Sequence, residues 1–331
     1  MVAVQRWNDL DDVPDGLGPT VVTIGNFDGV HRGHQRVLTA LVEQARARAA
    51  AAVAITFEPH PIAVLYPDRA PAQIVGLDQR LSLLEAAGVD AVLVMTFTHE
   101  LAAWSPRRFV EDVLVRALHA GEVVVGHDTR FGHRNSGDVG TLRELGAEHD
   151  FEVLAVEDLG AGAEGAAQRW SSTWVRELLA DGDVATAATV LGRAHRTTGI
   201  VVHGDHRGRG LGFPTANLGP DAEGLVPADG VYAGWLVLLD GPPIAGEGPG
   251  RRLPAAISVG TNPTFDGHVR RVEAYVLDRD DLDLYGRRVG VEFVRLLRPT
   301  LRYDGVAALV EQMHRDVDRS REVLGVRGAT A

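Results

Sequence analysis

Cysteine is absent from this 331-residue chain, which excludes disulfides, thiol catalysis and cysteine-ligated metals. Lysine is absent as well, so all 33 basic side chains are arginines. No run of about 18 apolar residues occurs, and no membrane span is available. The opening Met1-Val2-Ala3-Val4-Gln5-Arg6 forms no apolar signal core, so a cytoplasmic location is expected. Positive charge is outnumbered: 45 acidic residues against 33 basic ones give a net charge of −12. Such a chain lacks the basic field that non-specific nucleic-acid binding needs. Phosphate ligands must then be met by arginines gathered locally. There is no internal repeat and no G-x-x-x-x-G-K-[ST] motif, so any kinase here is not a P-loop enzyme.

What is present is a globular balance, 45% hydrophobic and 24% charged, with room for two domains. In the first half, apolar strands at 21–25, 53–57, 91–95, 122–126 and 151–156 alternate with helical stretches near 35–51, 77–87, 106–120 and 141–148. Continuous apolar strands separated by helices predict a parallel sheet covered on both faces, with ligands at the strands' carboxyl ends. From Gly199 strands follow strands: 199–203, 230–239, 253–259, 269–277 and 288–297. That pattern predicts a small antiparallel barrel. An amphipathic helix over 306–323 closes the chain, and a helical stretch over 173–191 bridges the halves. The Gly/Pro-rich loop 241–252 is expected to be mobile.

Gly25-Asn26-Phe27-Asp28-Gly29-Val30-His31-Arg32-Gly33-His34 leaves the first strand and opens the first helix. A helix N-terminus offers unpaired N–H groups and a positive dipole end to phosphate. Gly25, Gly29 and Gly33 permit close backbone approach, and His31 and His34 can face one side of the helix start. Two imidazoles there can donate to phosphate oxygens as charge develops. Asp128-Thr129-Arg130-Phe131-Gly132 follows another strand. Ser171-Ser172-Thr173-Trp174-Val175-Arg176 reads as a helix cap that can also bind phosphate, with Arg176 one turn in. Glu58-Pro59-His60-Pro61 closes the second strand, where the prolines stop it.

Together these stretches resemble the nucleotidyltransferases marked by H-x-G-H and a later S-S-T-x-x-R. They are similar, more closely, to the FMN adenylyltransferase module of prokaryotic bifunctional FAD synthetases, over about residues 20–190. One departure is visible: Thr129 stands where the family has an aromatic. The resemblance implies attack of the FMN phosphate on the α-phosphate of ATP, with pyrophosphate leaving and no enzyme nucleophile. His31 and His34 are then the catalytic pair. Gly25, Asn26, Phe27, Asp28, Gly29, Gly33, Ser171, Ser172, Thr173 and Arg176 meet ATP and its phosphates, and Asp128, Arg130 and Phe131 meet the flavin.

The second cluster runs from Gly204 to Leu218. Gly208-Arg209-Gly210-Leu211-Gly212 superficially suggests a dinucleotide fingerprint, but Pro214 sits where the required helix should continue. A glycine-rich flap over ATP phosphates fits better. Thr215 and Asn217 share a face in extended chain, where a hydroxyl and an amide oxygen suit Mg²⁺, although Pro-Thr-Ala-Asn alone can equally be a turn. Alternation puts Val272, Ala274 and Val276 on one face of their strand and Glu273 with Tyr275 on the other. Read alone, Glu273 is most simply a solvated outward residue. Gly208 to Asn217 is, however, similar to the signature of the riboflavin kinase barrel, and Gly230–Ala233, Ser258–Phe265, Glu273 and Val291–Arg298 follow in that family's order. The resemblance covers about 195–325. It implies that Gly208, Arg209, Gly210 and Gly212 cover ATP, that Thr215 and Asn217 bind Mg²⁺–ATP, and that Glu273 activates the riboflavin hydroxyl.

The expected fold is therefore α/β plus all-β: a Rossmann-like H-x-G-H nucleotidyltransferase sheet over 1–190 and a small antiparallel β-barrel with a terminal helix over 191–331. The expected ligands are riboflavin, FMN, FAD, ATP or ADP and pyrophosphate, with Mg²⁺ accompanying ATP and no tightly bound metal cluster. Neither nucleic acid nor membrane is expected as a partner, and a monomer or weak homo-oligomer is expected. The competing readings are a chain with one surviving activity, for which Thr129 is the only hint, and a non-catalytic flavin-binding regulator.

Overall fold

A computed structural model describes residues 4–157, 169–204, 212–261 and 270–327, with Thr261 by its backbone alone. The chain divides into two compact units, Met1–Pro71 with Leu77–Ser171, and Ala72–Gly76 with Ser172–Ala331.

In the first unit six parallel strands form one sheet, ordered β1-β4-β3-β2-β5-β6. They are β1 Gln5–Trp7, β2 Thr20–Ile24, β3 Ala51–Glu58, β4 Ala91–Thr96, β5 Ala120–Gly126 and β6 Glu152–Val156. Period two explains why the central strands β2 to β5 carry apolar residues on both faces. Val22, Val53, Ile55, Leu93, Val123 and Val125 enter one core, and Val21, Ala52, Ala54, Val92, Val94 and Val124 enter the other. Helix α1 (Arg32–Ala47) covers the second face with Leu38 and Leu41. Helices α2 (Pro61–Leu65), α3 (Leu77–Ala86), α4 (His99–Ala102), α5 (Pro106–Phe109) and α6 (Val139–His149) fill the remaining connections. The helix expected over 106–120 changes winding: beyond α5 the chain is π-helical over Val110–Ala117. Strand order reverses between β2 and β5. The chain proceeds from β2 outward to β3 on one side and reaches β5 on the other, which opens a crevice at their carboxyl ends.

The second unit is a closed barrel, ordered β10-β11-β8-β7-β12-β9. Its strands are β7 His195–Val202, β8 Ala216–Leu218, β9 Gly230–Leu238, β10 Arg252–Thr261, β11 Arg270–Val276 and β12 Arg288–Arg298. All of its ladders are antiparallel. The interior holds Tyr232, Ile257, Ala274 and Phe293. The helical stretch before the barrel is two helices, α7 (Ser172–Ala180) and α8 (Val184–Leu191). They break at Gly182, whose φ is +77°, and Asp183 restarts the chain by capping Thr186 N–H at 3.0 Å. Both belong to the barrel's unit, where Ala228 N–H donates to Leu179 C=O at 2.9 Å. Helix α9 (Val306–Leu324) lays Val310, Met313 and Val317 against Phe213, Tyr275 and Leu277. Arg298 anchors it by donating to both oxygens of buried Asp316. Within 241–252 a bridge joins Ile244 and Glu247, and Arg279 holds Glu247 at 3.1 Å.

Candidate active sites

The loop between β2 and α1 sits at the crevice where strand order reverses. Its backbone is unusual: φ is +49° at Phe27, +78° at Gly29 and +40° at Val30. Only Gly29 takes that region without cost, so neighbours must hold the other two. Gly25 N–H donates to Ile55 C=O at 3.1 Å, and the Gln35 side chain donates to Val30 C=O at 2.8 Å. The Asn26 carbonyl accepts from Thr56 Oγ1 and from Arg80, each at 3.1 Å.

His31 is the N-cap of α1, 6% exposed, and its Nδ1 accepts from the His34 N–H at 3.4 Å. An accepting Nδ1 carries no proton, so a neutral His31 bears its hydrogen on Nε2. The two imidazoles stack with centroids 3.7 Å apart, and the Phe27 ring meets His34 edge-on at 5.3 Å. Burial, helped by the neighbouring His31, holds the His34 pKa well below its usual value, so this imidazole is neutral at pH 7. The glycines make room for these rings. A Cβ on Gly33 would stand 3.0 Å from His31 Cε1, and one on Gly25 would stand 3.0 Å from the Phe27 ring. Phe27 is itself buried, so it offers a ligand main chain only. Asp28 is buried too.

Beyond β5, a tight turn (Thr129 N–H to Gly126 C=O, 3.0 Å) presents the second sequence cluster at the same strand ends. Asp128 pairs with Arg169 at 2.5 Å and Arg130 with Asp138 at 3.5 Å. Phe131 is 7% exposed, bridged to Gly137 and packed near Phe109 in the core, so it anchors the turn. Ser172 opens α7, and Arg176 Nε donates to Ala72 C=O at 2.8 Å, both within the second unit.

On the barrel, β8 and β11 pair Asn217 with Glu273, and β10 places Ser258 opposite Glu273 on its other side. Residues directly opposed across a ladder share a face. Val272, Ala274 and Val276 are buried inside, so Glu273 and Asn217 lie on the outer face. Asn217 Nδ2 donates to the Thr215 carbonyl at 3.2 Å and lies 3.3 Å from Thr215 Oγ1. Gly204 lies so close that a Cβ there would fall 2.6 Å from the Asn217 amide. Gly212 turns with φ +87° before Phe213 enters the α9 core. The other expected flap residues, Gly208, Arg209 and Gly210, lie outside the described residues. Among the described residues, no group of three His, Asp or Glu side chains converges as a metal site.

Comparison with known proteins agrees with both geometries. Residues 14–173 match the family model for FAD synthetase and residues 191–324 that for riboflavin kinase. The bifunctional riboflavin kinase/FMN adenylyltransferase of Escherichia coli strain K12 is 39% identical over 306 residues, covering 92% of this chain and 93% of that protein. The chain belongs to the bifunctional riboflavin kinase/FMN adenylyltransferase family. The Listeria monocytogenes member is 32% identical over 97% of this chain and 95% of its own length. A crystal structure described as a macrolide-efflux protein from Streptococcus pneumoniae superposes with a TM-score of 0.82 at 29% identity, covering 97% of this chain and 99% of that one. Efflux belongs to that protein's description. Among this chain's described residues no helix is long and apolar enough to cross a membrane.

Three further residues lie beside the H-x-G-H loop: Thr56 and His60, inside the 56–61 stretch that carries the family resemblance, and Arg80, which belongs to none of the quoted motifs. His60 Nε2 lies 3.5 Å from the Asn26 amide. Arg80 had a signal that was there to see. It shares the helical stripe of Leu77, Leu81 and Leu84, where an apolar residue is the rule, and it is 2% exposed.

Proposed function

We propose that the chain makes flavin cofactors in two ATP-dependent steps, phosphorylating riboflavin to FMN over residues 191–331 and adenylylating FMN to FAD over residues 1–190. The observation that carries this reading is the register of β8 and β11, which sets Glu273 directly beside Asn217. In the kinase step Glu273 takes the proton of the riboflavin 5′-hydroxyl as its oxygen attacks the γ-phosphorus, and ADP leaves. Thr215 and Asn217, whose side chains lie together with Asn217 Nδ2 3.3 Å from Thr215 Oγ1, would hold a hard divalent cation through the hydroxyl and the amide oxygen. When bound with ATP, Mg²⁺ neutralises phosphate charge. Gly208, Arg209, Gly210 and Gly212 are assigned to ATP by their motif alone.

In the second step an FMN phosphate oxygen attacks the α-phosphorus of ATP, forming the new P–O–P bond and releasing pyrophosphate. The protein supplies position and charge stabilisation. His31 donates from Nε2 to the α-phosphoryl oxygens, with neutral His34 packed against it. The main chain of Gly25 to Gly33 meets the phosphates at the start of α1. Ser171, Ser172, Thr173 and Arg176 are assigned to the leaving pyrophosphate by their motif. Asp128 and Arg130 meet FMN from a turn that Phe131 ties to the core. The working unit is a monomer or weak homo-oligomer.

Glu273→Gln tests the reading. FMN formation falls by about 10²–10⁴-fold, the usual worth of a positioned general base, while FMN-to-FAD conversion by the same chain stays within a few-fold. Retained FMN formation would remove Glu273 from its role. Equal loss of both activities would point to misfolding.

A further inference from the structure

The loop that leads into His31 and His34 holds Phe27 and Val30 at positive φ, conformations that L residues with side chains rarely adopt. Such backbone persists only where surroundings over-determine it. The fixed point is the Asn26 carbonyl, which two side chains from two different elements grip at once. Thr56, fully buried on β3, and Arg80, on α3, each donate to it at 3.1 Å. Arg80 is aimed by Glu58, which accepts from its second guanidinium nitrogen. A planar guanidinium with fixed donor directions suits this two-acceptor bridge, whereas an ammonium would reach one acceptor as a point charge.

We propose that Arg80, backed by Thr56 and aimed by Glu58, is a positioning residue for the adenylyl-transfer step. It fixes the strained loop and thereby sets the His31 and His34 rings for the transition state. The inference rests on the adenylylation assigned above. Arg80 is not assigned contact with either substrate; it acts through Asn26.

The test uses the full chain, whose riboflavin phosphorylation serves as an internal control. Arg80→Met keeps the length and removes the donors. Its expected effect is a fall in kcat for FAD formation of about 10²-fold, the loss that misplacement by an ångström produces, with a smaller change in KM and unchanged FMN formation. Thr56→Val costs less alone. Combined with Arg80→Met it adds less than its separate effect, because both donors serve one acceptor. Because Arg80→Met leaves Glu58 without this partner and can lower stability, Arg80→Met/Glu58→Gln is compared with it. A positioning role leaves kcat low even where the thermal midpoint recovers. Hydrogen exchange reads the clamp without activity: amides of residues 26–31 exchange at least about tenfold faster in Arg80→Met, while those of α6 do not. Wild-type kcat in Arg80→Met, a kcat that returns with stability, or unchanged exchange of the loop would each overturn the proposal. If the wild-type chain makes no FAD, the adenylylation assignment fails instead, and exchange alone decides whether the clamp exists.

Discussion

At the scale of the residue, the histidine pair is where sequence and structure meet most directly. Its spacing placed both imidazoles at the start of α1, and the structure stacks them there. His31→Ala combined with His34→Ala should lower FAD formation by at least about 10²-fold, in the range of losing aligned donors to developing charge, and leave FMN formation intact. A change within a few-fold would remove the pair from the mechanism. The role of Gly33 was legible in kind and not in detail: the neighbour that needs the space is the His31 ring, and ring positions have no signature in one sequence. Arg80 was missed because a charged residue in an apolar stripe reads as an exception until its partners, distant in the chain, are seen.

A second residue, His195, links protonation to folding. It is 1% exposed, donates from Nε2 to Leu225 C=O at 2.6 Å and lies parallel to the Phe293 ring. Burial lowers its pKa to about 4 against an ordinary 6.5. Because the folded value is the depressed one, the unfolded chain takes up this proton first. Its stabilising effect is whole above about pH 6.5 and is lost as pH falls toward 4, amounting to roughly 3 kcal/mol over the window. Urea unfolding at pH 7.5 and pH 5 should show about 2 kcal/mol of that loss in wild type and a smaller one in His195→Gln. Equal slopes would contradict it.

At the scale of the element, the long apolar strands and amphipathic helices were read within a few residues. What was missed was short. β1 and β8 have three residues each, too few to show a period, and β8 follows a proline. The 173–191 stretch looked like one helix because its apolar spacing nearly continues across the break. Gly182 is the signal, and its reason is steric as well as conformational. At φ +77° a Cβ would stand 3.1 Å from the Tyr232 hydroxyl and 3.2 Å from Leu296. Gly182→Ala should therefore destabilise the barrel unit by about 1–3 kcal/mol, seen as a lower thermal midpoint with retained FAD formation from FMN below it. An unchanged midpoint would mean that the α7–α8 break relaxes freely.

At the scale of the whole molecule, the change from alternating strands and helices to strands alone was enough to separate a parallel sheet from a barrel. Periodicity did not give strand order. That order sets the β2 loop at the switch point and Asn217 beside Glu273. A chain of net charge −12 has to gather its anion-binding groups locally. In the proposed scheme two such places each serve one step, and the product of the barrel is the substrate of the sheet. One chromatographic assay tests this most directly. Purified chain is incubated with Mg²⁺–ATP and either riboflavin or FMN, and the flavins are separated. The account predicts that riboflavin yields FMN and then FAD, and that FMN yields FAD. Folded protein that performs neither conversion would contradict it.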